Sequence, residues 1–138
     1  MTAIRDITRA DLEHAARDVA EAHGGRLVVL FGSAARGDGA PEDLDLGVLA
    51  DRPLDAVAVT TRFIRLLAVQ QVDVADLARA EPLLLMLAAR EGVVLYERTP
   101  AEFTRFVSLA MRRYADTAKF REAERAEIRE FLERTPAP

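Results

Sequence analysis

The chain has 138 residues, enough for one compact domain with a sizeable core and too few for two comfortable ones. Half of the residues are hydrophobic and 30% are charged, and a net charge of −4 argues against a protein that binds nucleic acid by itself, because phosphate binding normally leaves a basic excess. With no cysteine there is no disulfide framework and no thiolate site, and two histidines, His14 and His23, leave little material for a zinc site or a histidine-based triad.

The first predicted element is a helix with a marked start. Thr8 can cap it, Asp11 can reach back as in a capping box, and Ile7 can staple onto Leu12. Leu12, Ala15, Ala16 and Val19 form its apolar stripe, and Gly24-Gly25 ends it. Residues 26–31 (RLVVLF) are too short and too β-branched to favour helix and read as a strand. A glycine-rich loop follows, and residues 43–49 form a second strand. Pro53 opens a second helix with Leu54, Val57, Ala58, Ile64, Leu67 and Ala68 near one face. Alternation predicts a third strand over 71–77 (QVDVADL). Pro82 then takes a first helical position, and LLLMLAAR forms a short, heavily buried helix closed by Gly92. VVLYE is a fourth strand. From Pro100 the pattern is helical almost to the end, with Phe103, Phe106, Val107, Ala110 and Tyr114 on one stripe and a charge-rich second part anchored sparsely by Phe120, Ile128, Phe131 and Leu132.

The order α-β-β-α-β-α-β-α is that of a layered α/β or α+β domain. One domain is expected over 1–134, with a C-terminal helix over about 100–133 and a disordered tail at 135–138. The beginning of the chain lacks the basic-then-apolar pattern of a secretory signal, and no apolar run approaches the length of a membrane span, so a cytoplasmic protein is expected.

Two aspartates stand out within the second strand. Side chains alternate along a strand, so Asp43 and Asp45 point one way while Leu44, Leu46 and Val48 point into the core. Carboxylates at i and i+2 lie about 7 Å apart at their backbones. At an effective dielectric near 20 their repulsion is roughly 2–3 kcal/mol unless a positive group sits between them. Lysine or arginine could serve, and so could a divalent cation. Mg²⁺ suits such a pair, since it is bound by one or two carboxylates plus phosphate oxygens. Asp73 repeats the pattern on the third strand, between Val72 and Val74. If the second and third strands pair, three carboxylates share one sheet face, an arrangement for two metal ions that clamp the attacking and leaving oxygens of a phosphoryl-type transfer. A single aspartate would be better read as an exposed residue on a half-solvated strand; three in this arrangement are not.

Gly32-Ser33 directly follows the first strand, and Ala34-Ala35-Arg36 is compatible with the first turn of a short helix. Backbone N–H groups at such a turn and the Ser33 hydroxyl can hold phosphate oxygens, and the Arg36 guanidinium can fork onto phosphate. No P-loop pattern and no G-x-G-x-x-G are present. A Gly-Ser turn alone is weak. Followed after nine residues by Asp-x-Asp, and then by a third strand aspartate, it is a strong signal.

These residues resemble the nucleotidyltransferase superfamily whose fold is shared with DNA polymerase β. FGSAARGDGAPEDLDLGVL is especially similar to its minimal nucleotidyltransferase (MNT) group, and VDVADL, the leucine-rich helix, EGVVLYE and a long helix containing RRYADTAKFR follow in the group's order. The resemblance implies the nucleotidyltransferase fold: a small mixed sheet of about four strands flanked by helices, with a long C-terminal helix. It also implies a free-standing antitoxin that associates with a HEPN-family ribonuclease toxin and neutralises it by transferring AMP from ATP to a toxin tyrosine. By the same resemblance Gly32, Ser33 and Arg36 bind the triphosphate and Asp43 and Asp45 hold both Mg²⁺ ions. Asp73 completes one metal site and helps deprotonate the attacking hydroxyl. The MNT group commonly carries a serine immediately before the first aspartate; here Pro41-Glu42 precedes Asp43 and the spacer is one residue short. The competing readings are a small-molecule (aminoglycoside-type) nucleotidyltransferase and an antitoxin that blocks its toxin by binding alone. Tyr96 and Tyr114 are expected to pack rather than to accept AMP.

Overall fold

In the computed structural model, which describes residues 2–134, every element expected from periodicity is present. The tail at 135–138 lies outside the described residues. The first helix, α1 (Arg9–His23), begins on the expected capping box: the Thr8 side chain accepts from the Asp11 N–H and the Asp11 carboxylate accepts from the Thr8 N–H, both at 3.1 Å. Two backbone donors that the helix cannot itself satisfy are thus paired. Gly24 ends α1 in the left-handed region (φ 70°), which only glycine adopts without strain.

The strands are β1 (Gly25–Phe31), β2 (Leu44–Ala50), β3 (Val72–Asp76) and β4 (Val93–Glu97). They form one mixed sheet in the order β3-β2-β1-β4. β1 is antiparallel to both β2 and β4, whereas β2 and β3 are parallel. A parallel pair needs a crossover between its strands, and α3 (Ala56–Leu67) supplies it. The remaining helices are the five-residue α2 (Gly32–Arg36), α4 (Pro82–Glu91) and α5 (Glu102–Arg134).

Strand alternation divides the interior in two. Val28, Leu30, Leu44, Leu46 and Val48 pack against Leu12, Ala16 and Val19 of α1 and Val59 and Phe63 of α3. Leu27, Val29, Phe31 and Leu49 face the opposite way, onto Leu77, Leu85 and Ala88 and onto Phe106 and Ala110 of α5. Each large side chain buried here contributes roughly 1.5–3 kcal/mol by its removal from water.

Three expectations need correction. α3 begins at Ala56 rather than at Pro53, because the Asp55 side chain caps it by accepting from the Ala58 N–H at 3.1 Å; Pro53 and Leu54 lie in the loop before it. The leucine-rich α4 is not heavily buried: Leu85 and Ala88 are, but Leu83 and Leu87 face solvent, since the helix lies on the sheet with one side only. Finally, β2 starts at Leu44, which leaves Asp43 just outside the strand, exposed at the loop's end.

Candidate active site

The site is assembled at one end of the sheet, where β1 gives way to α2. Antiparallel pairing sets Phe31, the last residue of β1, opposite Asp45 of β2. Parallel pairing sets Asp45 in register with Asp73 of β3. Asp45 alternates with the buried Leu44 and Leu46 and therefore points to the α4/α5 side of the sheet; Asp73 shares that face. Asp43, two residues before Asp45, adds a third carboxylate. The expected pairing of the second and third strands is present and sets Asp45 beside Asp73, while Asp43 lies outside it at the loop's end.

Gly32 is locked to this arrangement. Its φ is 74°, and a Cβ added there would lie 2.3 Å from Asp45 Oδ2. The backbone at the start of α2 thus runs against the Asp45 carboxylate, and no side chain fits between them. Ser33 follows in the first turn of α2, half-buried, and its carbonyl accepts from the N–H groups of Gly37 and Asp38 to close the helix. Gly32, Ser33, Asp43, Asp45 and Asp73 are all placed at one end of two neighbouring strand pairs.

Electrostatics mark Asp45 as the centre of the site. Partial burial, and then the negative charges of Asp73 and Asp43, raise its pKa above the ordinary carboxylate value, while Arg36 offsets this in part. Arg36 does not lie between the aspartates as a counterion. Its Nε donates to Asp38 at 2.7 Å and its Nη1 to Glu91 at the end of α4, at 3.0 Å. Arg36 thus acts on Asp45 through its charge while its own ion pairs run to Asp38 and Glu91. Sequence reasoning missed both partners of Arg36: Asp38 was visible two residues downstream as a charge of opposite sign, but Glu91 carried no local signal, because only packing of α4 beside α2 brings it near.

Among the described residues, no three histidine or acidic side chains converge closely enough to cage a metal ion by themselves. Asp43, Asp45 and Asp73 offer only anionic oxygen acceptors, the donor set that suits Mg²⁺ when phosphate and water supply the remaining ligands. The donor chemistry fits: burial raises the Asp45 pKa first, and the like charges of Asp73 and Asp43 that add to it are the kind a cation relieves. At this face Asp43 and Asp73 are exposed and Asp45 is half-buried. A cavity of about 280 Å³ beneath the 37–41 loop, lined by Ile4, Arg5, Leu12, Leu30 and Leu44, lies on the α1 side of the sheet instead.

The two tyrosines lie elsewhere. Tyr96 is half-buried on β4, opposite Val28, with the Arg17 guanidinium 5.6 Å from its ring centre. Tyr114 lies on α5 beneath Arg121.

A family model described as polymerase beta nucleotidyltransferase matches residues 18–101. That span runs from α1 through β4 and includes all six site residues expected from the sequence. A protein adenylyltransferase, MntA, of Aphanizomenon flos-aquae is 28% identical over 122 residues, which cover 79% of this chain and 81% of that relative. Among solved structures, a toxin–antitoxin complex with AMP-PNP superposes with a TM-score of 0.73 at 23% identity, covering 84% of this chain and 97% of the matched one. A complex of tri-AMPylated Shewanella oneidensis HEPN toxin with MNT antitoxin gives a TM-score of 0.71 at 21% identity, covering 88% and 98%. Together with the Gly-Ser turn and the aspartates it faces, the match over most of the chain shows that this protein belongs to the polymerase β nucleotidyltransferase family.

Proposed function

We propose that the protein is an antitoxin that transfers AMP from ATP to a tyrosine of a HEPN-type ribonuclease toxin and so neutralises it, acting as one domain over residues 1–134. The observation that carries this reading is the register of Asp45 with Asp73 beside Gly32, which collects acidic oxygens and free turn backbone at one place. The adenylyltransferase relative and the folds shared with toxin–antitoxin complexes support it.

In the proposed reaction the tyrosine hydroxyl attacks the α-phosphorus of ATP. The new bond forms between the phenolic oxygen and phosphorus as the bond to the β-phosphate bridging oxygen breaks, and pyrophosphate leaves. Gly32 and Ser33 present backbone N–H groups and a hydroxyl to the triphosphate. Arg36, in exchange for one of its carboxylate partners, forks onto a phosphate oxygen. Asp73 accepts the phenolic proton. Asp43 and Asp45 would hold two Mg²⁺ ions, with Asp73 completing one site, and those ions would neutralise charge on the attacking and leaving oxygens. Positioning and charge neutralisation are enough for such in-line transfer, so the absence of cysteine and the remoteness of His14 and His23 on α1 are no obstacle. Among the described residues no helix is long and apolar enough to cross a membrane, in keeping with the proposed action on a cytoplasmic toxin.

The test is incubation with ATP, Mg²⁺ and the toxin encoded beside this protein, followed by intact-mass measurement of the toxin. One or more added adenylyl groups on tyrosine are expected. Toxin neutralised with no added mass would favour the binding-only antitoxin and overturn the transferase.

A further inference from the structure

α5 carries one stripe through two environments. Over its first turns the stripe packs into the protein, and Phe106 and Ala110 are buried against β1 and α4. Beyond Ala110 no residue of the helix is buried, although α5 continues to Arg134. The stripe itself does not stop. Tyr114, Thr117, Arg121, Glu124, Ile128 and Phe131 continue it at alternating spacings of three and four, the seam of a two-stranded coiled coil. Large apolar side chains are exposed on this half of the helix: Phe120 is 73% exposed, Ile128 59% and Phe131 66%. In a solvated helix such a concentration marks an interaction surface.

We propose that this seam pairs with the same seam of a second copy of the chain, antiparallel, about a two-fold axis between Arg121 and Glu124. An antiparallel seam matches each position of one kind with its complement on the other helix. With the axis there, Arg121 meets Glu124 of the second copy, Thr117 meets Ile128, and Tyr114 meets Phe131. The same axis brings Leu132 beside Met111 of the second copy, and both are exposed in the single chain. A parallel pairing would stack arginine on arginine and glutamate on glutamate. Charge complementarity thus selects the second copy and its direction together, as polar seam residues commonly do. In the single chain the Arg121 guanidinium folds back along the seam, 4.0 Å from the Tyr114 ring centre, and donates to the Thr117 hydroxyl and the Tyr114 carbonyl. Pairing exchanges those contacts for Glu124 of the second copy. The seam from Tyr114 to Phe131 is about 25 Å long, so the pair is a weak one, dissociating in the micromolar range. The globular halves lie at opposite ends, which leaves both acidic sites open. The pairing does not depend on the adenylyltransferase reading.

Sedimentation equilibrium of the whole chain without toxin tests it. The expected result is a monomer–dimer equilibrium that Arg121→Glu weakens by about tenfold or more and that Arg121→Glu with Glu124→Arg restores. Glu124 is exposed and Arg121 contacts Tyr114 and Thr117 of its own helix, so circular dichroism checks that helix content is kept. Because the chain has no cysteine, direction can be read directly: mixed Tyr114→Cys and Phe131→Cys proteins should form a disulfide that neither forms alone. A monomer at all concentrations, a dimer indifferent to Arg121→Glu, or a double variant as weak as the single one overturns the proposal. So does hydrogen-exchange protection of Phe120 and Ile128 that appears only when toxin is added.

Discussion

Asp45 on β2 and Asp73 on β3 are register partners in the one parallel strand pair of the sheet, so two carboxylates from different parts of the chain stand side by side. Removing either charge should relieve the fold and disable the reaction. Asp45→Asn is expected to lower AMP transfer by on the order of 10³-fold or more, because charge stabilisation at the reacting phosphate is lost. Without divalent cations its melting temperature should equal or exceed that of the wild type, since Asp45 is partly buried and faces like charges. Added Mg²⁺ should raise the melting temperature of the wild type and leave that of the variant unchanged. Thermal unfolding with and without Mg²⁺ decides both points.

Gly32→Ala puts a methyl group where Asp45 Oδ2 lies 2.3 Å away, at a φ of 74°. The expected cost is about 1–3 kcal/mol of stability from the strained backbone, together with a loss of activity greater than the loss of fold. Gly37→Ala provides the comparison. Its φ of 73° imposes a similar backbone strain, yet its Cβ would meet nothing within 4 Å, so transfer should be largely kept. Denaturant titration beside an activity assay separates the two effects.

Arg36→Ala should raise KM for ATP by about tenfold with a smaller effect on kcat, as expected for a phosphate contact made before and during transfer. Glu91→Gln removes one of the two carboxylates that hold the guanidinium. It should lower KM for ATP by easing the exchange onto phosphate. A KM unchanged by both substitutions would remove Arg36 from the triphosphate site.

The far end of the sheet carries a pH-dependent tie. Asp51 accepts from Arg98 and lies 3.3 Å from Arg26, and the Arg98 hydrogen bond holds its carboxyl below the ordinary value of 3.8. A folded value below the unfolded one means stabilisation that is present above about pH 4 and lost as pH falls through the folded value. Asp51→Asn should therefore lower the melting temperature slightly at neutral pH, and the difference should shrink as the pH falls below about 4. Asp18, depressed by its hydrogen bond from Arg62, should follow the same course. Both tests are melting curves across that pH range.

Much of this protein could be read from local pattern. The capping box of α1, the RLVVLF strand, the proline that opens α4 and the Gly-Ser…Asp-x-Asp spacing are each specified within a few residues, by helix and strand periods and by cap chemistry. Even so, helix α3 starts at its capping Asp55 rather than at Pro53, because an unpaired helix donor gains more from a carboxylate than from a fixed φ.

By itself, then, the sequence determined the elements, their order and the candidate residues for the chemistry, since those depend on neighbours along the chain. The tertiary structure alone decided which distant groups meet. The α3 crossover makes β2 and β3 parallel and so places Asp73 beside Asp45, the docking of α4 gives Arg36 its second carboxylate, and the edge of the sheet fixes where the α5 stripe leaves the core for solvent. Such meetings depend on strand direction and packing, which a hydrophobic period does not encode.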